Sequence, residues 1–373
     1  MGKTVVVHVI ESASGGSLEY LRAIVNGLSN DTYDQVVIYS RRPDTPKNIA
    51  SMFNDTTSLI EIRMTREISM FSDISSSLKL RRLLKSLRPD IVHLHSSKAG
   101  ALGRIACVGL EPKVVYTPHG FSFFRRDISC VLRTGYFIVE FALQALLRKN
   151  LLVGSLYELT VASKFTRKSK LMLIRNAVND IGANFKIEKE WDCVIVGRIT
   201  RAKNPQRLVN IAKLLQRVRS DLRILWVGDG ELRGFIEEQA TKQNLKLTIT
   251  GWVPHEKVER YLQRSRIYIQ TSDWEAAPLA VLEAMSAGLP VIASKIPAHQ
   301  DIIRDGHNGF LADSVESFVH YIKLLLDDAS LCQCLGLSAR MDVIRNHNIN
   351  QFLDRIHTYY QCLLSTTMYS IEG

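Results

Sequence analysis

Two glutamates separated by seven residues are the feature of this chain best suited to chemistry. They lie in the run Thr271-Ser272-Asp273-Trp274-Glu275-Ala276-Ala277-Pro278-Leu279-Ala280-Val281-Leu282-Glu283. Pro278 and the periodic apolar residues after it mark a helix N-terminus, so Glu275 precedes the helix and Glu283 lies within it. A carboxylate oxygen accepts more than one hydrogen bond, which suits the vicinal hydroxyls of a ribose or a pyranose. A carboxylate beside a sugar can also stabilise positive charge developing at the anomeric carbon. Either glutamate alone reads equally well as a solvated helix charge. Both at one strand-to-helix junction are less ordinary.

Other candidates also follow apolar runs. Arg198 comes two residues after Val196, and Lys203-Asn204-Pro205 opens the next helical pattern. A guanidinium, an ammonium and a helix N-terminus together suit a diphosphate, though an exposed basic loop would look the same. His119 stands between Pro118 and Gly120 in Thr117-Pro118-His119-Gly120-Phe121. It could hydrogen-bond a ligand or simply shape a loop. Gly15 and Gly16 fall at the first strand-to-helix turn, where glycines admit a ligand to the backbone or merely make a tight turn. His93 and His95 alternate along one strand without a carboxylate cluster, and are expected to be packing or supporting groups. Gly228-Asp229-Gly230 with Gly234 only superficially resembles a dinucleotide fingerprint. Its third glycine is one place late, so a turn and helix start are expected there, not a nicotinamide cofactor.

Strands must position these residues. Apolar β-branched runs at 4–10, 35–40, 59–63, 91–96 and 113–117 alternate with helical patterns, notably 75–88 and 99–109. The pattern restarts with runs at 193–199, 222–227, 247–251, 267–271 and 290–294, separated by helical stretches at about 204–219, 231–243, 255–264 and 279–287. Non-alternating apolar strands between helices mean parallel sheets covered on both faces. The fold class is therefore α/β, with two doubly wound Rossmann-like units in tandem. The boundaries read as 1–178, 179–350 and a C-terminal helical segment 351–373, expected to pack back on the first unit. Ligands of open α/β sheets bind beyond the carboxyl ends of the strands, so a cleft between the units is the expected site.

The chain has 373 residues, 46% hydrophobic and 23% charged. Those values exclude a disordered or disulfide-stapled chain. The net charge is +11, and residues 1–178 carry all of the excess, with 25 basic and 14 acidic side chains. An acidic partner for that half is implied: nucleic acid, anionic membrane or a phosphorylated substrate. The six cysteines form neither a zinc pattern nor a redox pair, as expected of thiols in a reducing compartment. No signal-peptide layout and no run of about 18 uncharged apolar residues is seen.

These motifs, in this order, resemble the retaining glycosyltransferases of family 4, which have the GT-B fold of two facing Rossmann-like domains. The resemblance rests on Gly15-Gly16, the His119 segment, Arg198 to Lys203-Asn204, and the Glu275/Glu283 pair. It implies that Arg198 and Lys203 grip a donor diphosphate and that Glu283 holds the ribose. It places Glu275 beside the donor sugar's hydroxyls and His119 against that sugar. Ala277, Pro278 and Leu279 would surround sugar and phosphates with the Gly15-Gly16 loop, and the turn with Val253 would hold the base. The family often has Gly where Ala276 stands, and Pro-Asn-Gly where Arg175-Asn176-Ala177 stands. The second departure puts a role for Asn176 in doubt.

The implied reaction moves a sugar from a nucleotide-sugar donor, expected to be UDP-linked, by front-face displacement. Charge on the leaving diphosphate is met by Arg198, Lys203 and helix amides, with no metal and no cofactor. The segments Thr117–Phe121 and His95–Lys98 look similar to bacterial enzymes that build O-antigen or capsule units on a lipid diphosphate. The expected acceptor is a lipid-linked saccharide. Basic amphipathic stretches at 78–85 and 125–149 suit an anionic membrane surface, so a peripheral enzyme on the cytoplasmic face is expected. A nucleotide-sugar epimerase is the alternative within the fold. A dehydrogenase is disfavoured by the imperfect glycine pattern. Nucleic acid is not expected as a partner, because only the charge supports it.

Overall fold

Apolar strands that lack alternation need cover on both faces, and both sheets of this protein have it. The structure is a computed structural model and describes residues 2–65 and 67–365. Two compact units are present: residues up to Phe124, Ile128–Asn176 and the chain from Asn350 form the first, while Arg125–Asp127 and Ala177–Ile349 form the second. The part of the expected C-terminal segment beyond residue 365 lies outside the described residues.

The first unit contains strands β1 (Thr4–Ile10), β2 (Tyr33–Tyr39), β3 (Ser58–Glu61), β4 (Ile91–His95), β5 (Lys113–Thr117), β6 (Asn150–Val153) and β7 (Leu171–Leu173). Its helices are α1 (Gly15–Gly27), α2 (Met70–Leu87), α3 (Ser97–Ala106), α4 (Cys130–Leu147) and α5 (Leu156–Ala162). The sheet is parallel in the order β3-β2-β1-β4-β5-β6-β7. Strand order therefore reverses between β1 and β4, the switch point where doubly wound sheets take ligands.

The second unit contains α6 (Pro205–Gln216), α7 (Arg233–Lys242), α8 (His255–Gln263), α9 (Leu279–Ser286), α10 (Pro297–Gln300), α11 (Val315–Asp327) and α12 (Ala329–Asn346). They surround β8 (Trp191–Val196), β9 (Ile224–Val227), β10 (Leu247–Ile249), β11 (Ser265–Gln270), β12 (Val291–Ser294) and β13 (Gly309–Ala312). The sheet order is β10-β9-β8-β11-β12-β13, again parallel, with its switch between β8 and β11. Core residues such as Trp226, Ile267 and Ile292 are fully buried between the helical layers.

The last helix, α13 (Ile349–Leu364), belongs to the first unit. It buries Phe352, Ile356, Tyr359 and Tyr360. The Tyr360 hydroxyl lies 2.6 Å from His93 Nδ1, and the Tyr33 hydroxyl 2.8 Å from His357 Nδ1. A side chain at Gly27 would collide with Leu353 of α13, which approaches to 2.3 Å of that Cβ position.

Helix α4 inverts the usual pattern, in which a surface helix turns its apolar stripe inward. Its buried residues are Glu140 and Gln144. Arg104 of α3 donates to Glu140 Oε1 at 2.7 Å, and Tyr116 to Oε2 at 3.2 Å. Outward it shows Val131, Ile138, Val139, Phe141 and Leu146, the last 78% exposed. With 18 residues and a mean hydropathy of 1.4, it is long and apolar enough to cross a membrane by those measures, although it carries Arg133 and Glu140.

Several boundaries differ from the sequence expectation. Helix α2 starts at Met70, not near 75, with Asp73 Oδ2 accepting from the Ser69 amide at 3.1 Å. Strands β6 and β13 carried no sequence signal strong enough to read. β6 follows α4 with only Arg148, in a left-handed conformation (φ 47°), and Lys149 between them.

Candidate active site

The carboxyl ends of β8 and β11 carry Arg198, Lys203 and Glu275. Half-buried Arg198 follows β8 by two residues, and Lys203 ends a short 3-10 helix, Arg201–Lys203. Lys203 Nζ is 2.7 Å from Glu275 Oε1. The same oxygen accepts from Ser272 Oγ at 2.8 Å and Gln270 Nε2 at 3.1 Å. Glu275 Oε2 has no partner among the described residues. Burial pushes this carboxyl upward, but the Lys203 charge and hydrogen bond, with His299 and Ser272, outweigh it and hold it below the usual glutamate range. Glu275 is thus an oriented carboxylate with one oxygen engaged and one available.

Glycines make room for this arrangement. Gly197 has φ 137°, and a Cβ there would sit 3.0 Å from Lys203 Cε. Gly228 has φ 141°, and its Cβ would fall 2.2 Å from the Gly197 carbonyl oxygen. That oxygen accepts from Trp226 Nε1 at 2.9 Å. The Gly228-Asp229-Gly230 segment is therefore packed against the β8 loop.

Further bonds join the two loops. Asn204 caps α6 in a left-handed conformation (φ 46°), its Oδ1 accepting from the Arg207 amide at 2.9 Å. Its Nδ2 donates to Asp273, and Arg207 Nη2 reaches Asp273 Oδ1 at 2.8 Å. Arg207 Nη1 donates to the Thr271 carbonyl and Ser294 Oγ, each at 2.9 Å.

Glu283 lies in α9, and His255 Nε2, at the start of α8, is 4.0 Å from its Oε1. The turn holding Val253 therefore leads directly to a neighbour of Glu283. Pro278 caps α9, with Ala277 before it and Leu279 as its first residue. His299 is wholly buried. Its Nδ1 lies 2.7 Å from the Ser294 carbonyl, and its Nε2 has no hydrogen-bond partner among the described residues. Burial lowers its pKa to about 4 despite the Glu275 charge.

In the first unit, Gly15 (φ 55°) opens α1 directly after β1, followed by Gly16. Half-buried His119 (φ 50°) and Gly120 (φ 94°) follow β5, with the Gly120 amide donating to Glu158 Oε1 at 2.8 Å. His119 belongs to a cluster with His8, His93 and His95. His8, His93 and His95 each bring a nitrogen within 4.8 Å of the others, as metal ligands would. His93 spends both nitrogens on Tyr360 and Thr117, and His95 both on His8 and His119. The cluster is therefore a hydrogen-bonded group.

Comparison with known proteins adds the lineage. Residues 14–152 match the model of Glycosyltransferase Family 4, and residues 179–342 that of Glycosyl transferases group 1. A protein of Escherichia coli, UDP-Gal:alpha-D-GlcNAc-diphosphoundecaprenol alpha-1,3-galactosyltransferase, is 31% identical over 80% of this chain and 81% of its own length. The chain belongs to the family 4 glycosyltransferases.

This glycosyltransferase has the GT-B fold. Sucrose-phosphate synthase from Thermosynechococcus elongatus superimposes with a TM-score of 0.82 at 18% identity, covering 98% of this chain and 100% of that one. Anabaena Alr3699/HepE in complex with UDP and glucose gives 0.80 at 14% identity, covering 96% and 99%. Nothing in these comparisons supports the epimerase alternative.

Sequence reasoning placed Lys203 and Glu275 in one site but missed what holds them. Gln270, Thr271, Ser272 and Asp273 put four polar residues directly after the apolar run Ile267–Ile269, which was a readable signal. Asn204 stood in the segment already read, but its bond to Asp273 was not legible; Arg207 and His299 reach this site through distant contacts that no local pattern marks.

Proposed function

We propose that this glycosyltransferase moves a sugar from a UDP-sugar to a lipid-diphosphate-linked saccharide with retention of anomeric configuration. The observation that carries this reading is Glu275, pinned at Oε1 by Lys203, Ser272 and Gln270, with Oε2 available to a sugar hydroxyl. Lys203 has three donors, so it can hold Glu275 and still meet a phosphate oxygen. Arg198, Lys203 and the amides at the start of α9 supply positive potential where the leaving diphosphate gains charge, without a metal ion. Glu283 would hold the ribose and the Val253 turn the base, and the family resemblance assigns donor contacts to His119 and to the Gly15-Gly16 loop. The relative's donor and acceptor, UDP-galactose and a GlcNAc-diphosphate lipid, are the first substrates to try.

The acceptor is met at an anionic membrane face on the cytoplasmic side. Support comes from the outward apolar face of α4 and the apolar start of α2, where Phe71 is 88% exposed. Arg133 is exposed on α4 and Arg148 at its end, and Lys79, Arg82 and Lys85 are exposed on α2 with Arg88 directly after it. An apolar face rimmed by cations suits the boundary between acyl chains and anionic headgroups.

The test incubates the full chain with UDP-galactose and a short-chain GlcNAc-diphosphate lipid, with and without chelator. An α-linked product formed equally in chelator supports the whole reading. A β-linked product would remove the retaining assignment, loss of activity in chelator the metal-free one, and turnover of other donors alone the choice of galactose. Co-sedimentation with phosphatidylglycerol vesicles, weakened by salt, tests the membrane face.

A further inference from the structure

Three polar side chains follow one another along one face of β11 and its continuation: Tyr268, Gln270 and Ser272, all fully buried. Residues two apart on a strand share a face, so the three form a row that leads to the Glu275 loop. β11 lies inside its sheet, between β8 and β12, where buried amides and hydroxyls are costly unless paired. Each of the three is paired within the row. Tyr268 Oη donates to Gln270 Oε1 at 2.8 Å. Gln270 Nε2 donates to Ser272 Oγ at 2.9 Å and to Glu275 Oε1 at 3.1 Å. Ser272 Oγ donates to the same carboxylate oxygen at 2.8 Å.

The chemistry of the partners gives the row one direction. A carboxylate only accepts, so the amide atom of Gln270 that faces Glu275 is the nitrogen. Its two hydrogens go to Glu275 and Ser272, and the Ser272 hydrogen goes to Glu275. Gln270 Oε1 is thereby turned toward Tyr268, and an amide oxygen needs a donor there. The Tyr268 hydroxyl has one hydrogen, and its other neighbour, the Val196 carbonyl, is farther away at 3.5 Å. Without that hydroxyl, Gln270 Oε1 would be a buried acceptor without a partner, and the amide would no longer be held at its far end.

We propose that Tyr268 and Gln270 are positioning residues that lock the Glu275 carboxylate from behind, so that Oε1 is consumed and Oε2 is held as an acceptor for a hydroxyl of the bound sugar. That the ligand is a donor sugar rests on the function proposed above; the lock on the carboxylate does not. The groups facing Glu275 are Lys203 from the 3-10 helix, Gln270 and Ser272 from β11 and its continuation, and His299 from α10, while Glu283 of α9 acts on Tyr268. Lys203 and the two neutral donors favour the ionised carboxyl. His299, with a pKa of about 4, is neutral well above that pH.

The test is a carboxyl titration by carbon NMR on the full chain labelled with 13C-glutamate, with Glu275→Gln used to assign the Glu275 signal. The wild-type Glu275 is expected to titrate below the usual glutamate range. Tyr268→Phe removes one hydroxyl and Gln270→Met removes the amide. Both should raise the Glu275 midpoint, the second by more. Adding Tyr268→Phe to Gln270→Met should raise it no further, because Tyr268 acts through the amide. A merely structural row would lower stability and leave the midpoint in place. An unmoved midpoint in Tyr268→Phe, or additive shifts in the double variant, would overturn the proposal. Tyr268→Phe decides even if Gln270→Met does not fold. The same variant should lower kcat/KM for UDP-galactose by about three- to tenfold, the worth of one neutral hydrogen bond, with UDP binding unchanged. An unchanged kcat/KM would remove the sugar contact. Absence of turnover by the wild type would instead defeat the functional reading, leaving the lock to be judged by the titration.

Discussion

Lys203 places its ammonium 2.7 Å from a carboxylate that Ser272 and Gln270 also hold. Replacing it by alanine removes positive charge from the leaving-group region and unpairs Glu275 within the loop. Lys203→Ala is expected to lower kcat by about 10²–10³, typical of losing one preorganised group, and steady-state rates with UDP-galactose check this. Acid stability belongs to the same scale. His8, His119 and His299 have depressed pKa values of about 4, 3 and 4 in the folded chain. Unfolded histidines bind protons from about pH 6.5 downward, so the unfolded state holds more protons over this window. The contribution of these neutral rings is intact above pH about 6.5 and is lost as pH falls toward their folded values, at about 1.4 kcal/mol per proton per pH unit. Glu275 adds the same sign at lower pH, because its pKa is also depressed. Urea midpoints from pH 8 to 4 should therefore fall steeply below about pH 6.5. A flat profile would show that the rings are not buried neutral.

Helix α4 is the element whose chemistry runs against its setting. Its inner face is held by the Arg104–Glu140 pair at 2.7 Å, with the Arg104 guanidinium 4.4 Å from the Tyr116 ring centroid. Arg104→Met leaves a buried carboxylate without its cation and should cost about 3–5 kcal/mol, read from urea unfolding by near-ultraviolet tyrosine dichroism. The outer face is tested by the triple variant Val131→Glu, Phe141→Glu and Leu146→Glu. Each apolar side chain buried in a bilayer contributes about 1.5–3 kcal/mol. Vesicle affinity should therefore fall more than about a hundredfold with the thermal transition unchanged, and equal affinity would refute the membrane reading. The helix itself was legible as an apolar stretch with basic ends. That its polar residues point inward was not, because the partners of Glu140, Arg104 and Tyr116, lie 36 and 24 residues earlier.

At the scale of the molecule, the chain leaves the first unit, builds the second, and returns through α13. Ending the chain before Ile349 should destabilise the first unit, since Tyr360 and His357 contact His93 and Tyr33 there. All four tryptophans, Trp191, Trp226, Trp252 and Trp274, lie in the second unit. Their fluorescence should report a nearly unchanged transition in the truncated chain, while amide exchange in β1, β2 and β4 accelerates. Slow exchange retained in those strands would mean α13 is dispensable.

The sequence by itself determined the two α/β units, the strand ends that carry Arg198, Lys203 and Glu275, and the charge of the first half. Each depends on local periodicity or on composition, which a linear chain displays directly. Tertiary structure alone decided that Lys203 meets the Glu275 oxygen also held by Ser272 and Gln270, that Glu140 faces inward, and that His8 and His95 stand behind His119. Those long-range contacts join residues 24 to 87 positions apart. Hydrogen bonds and ion pairs are short-ranged, so they are fixed only once the sheet order brings β1, β2, β4 and β5, or β8 and β11, side by side.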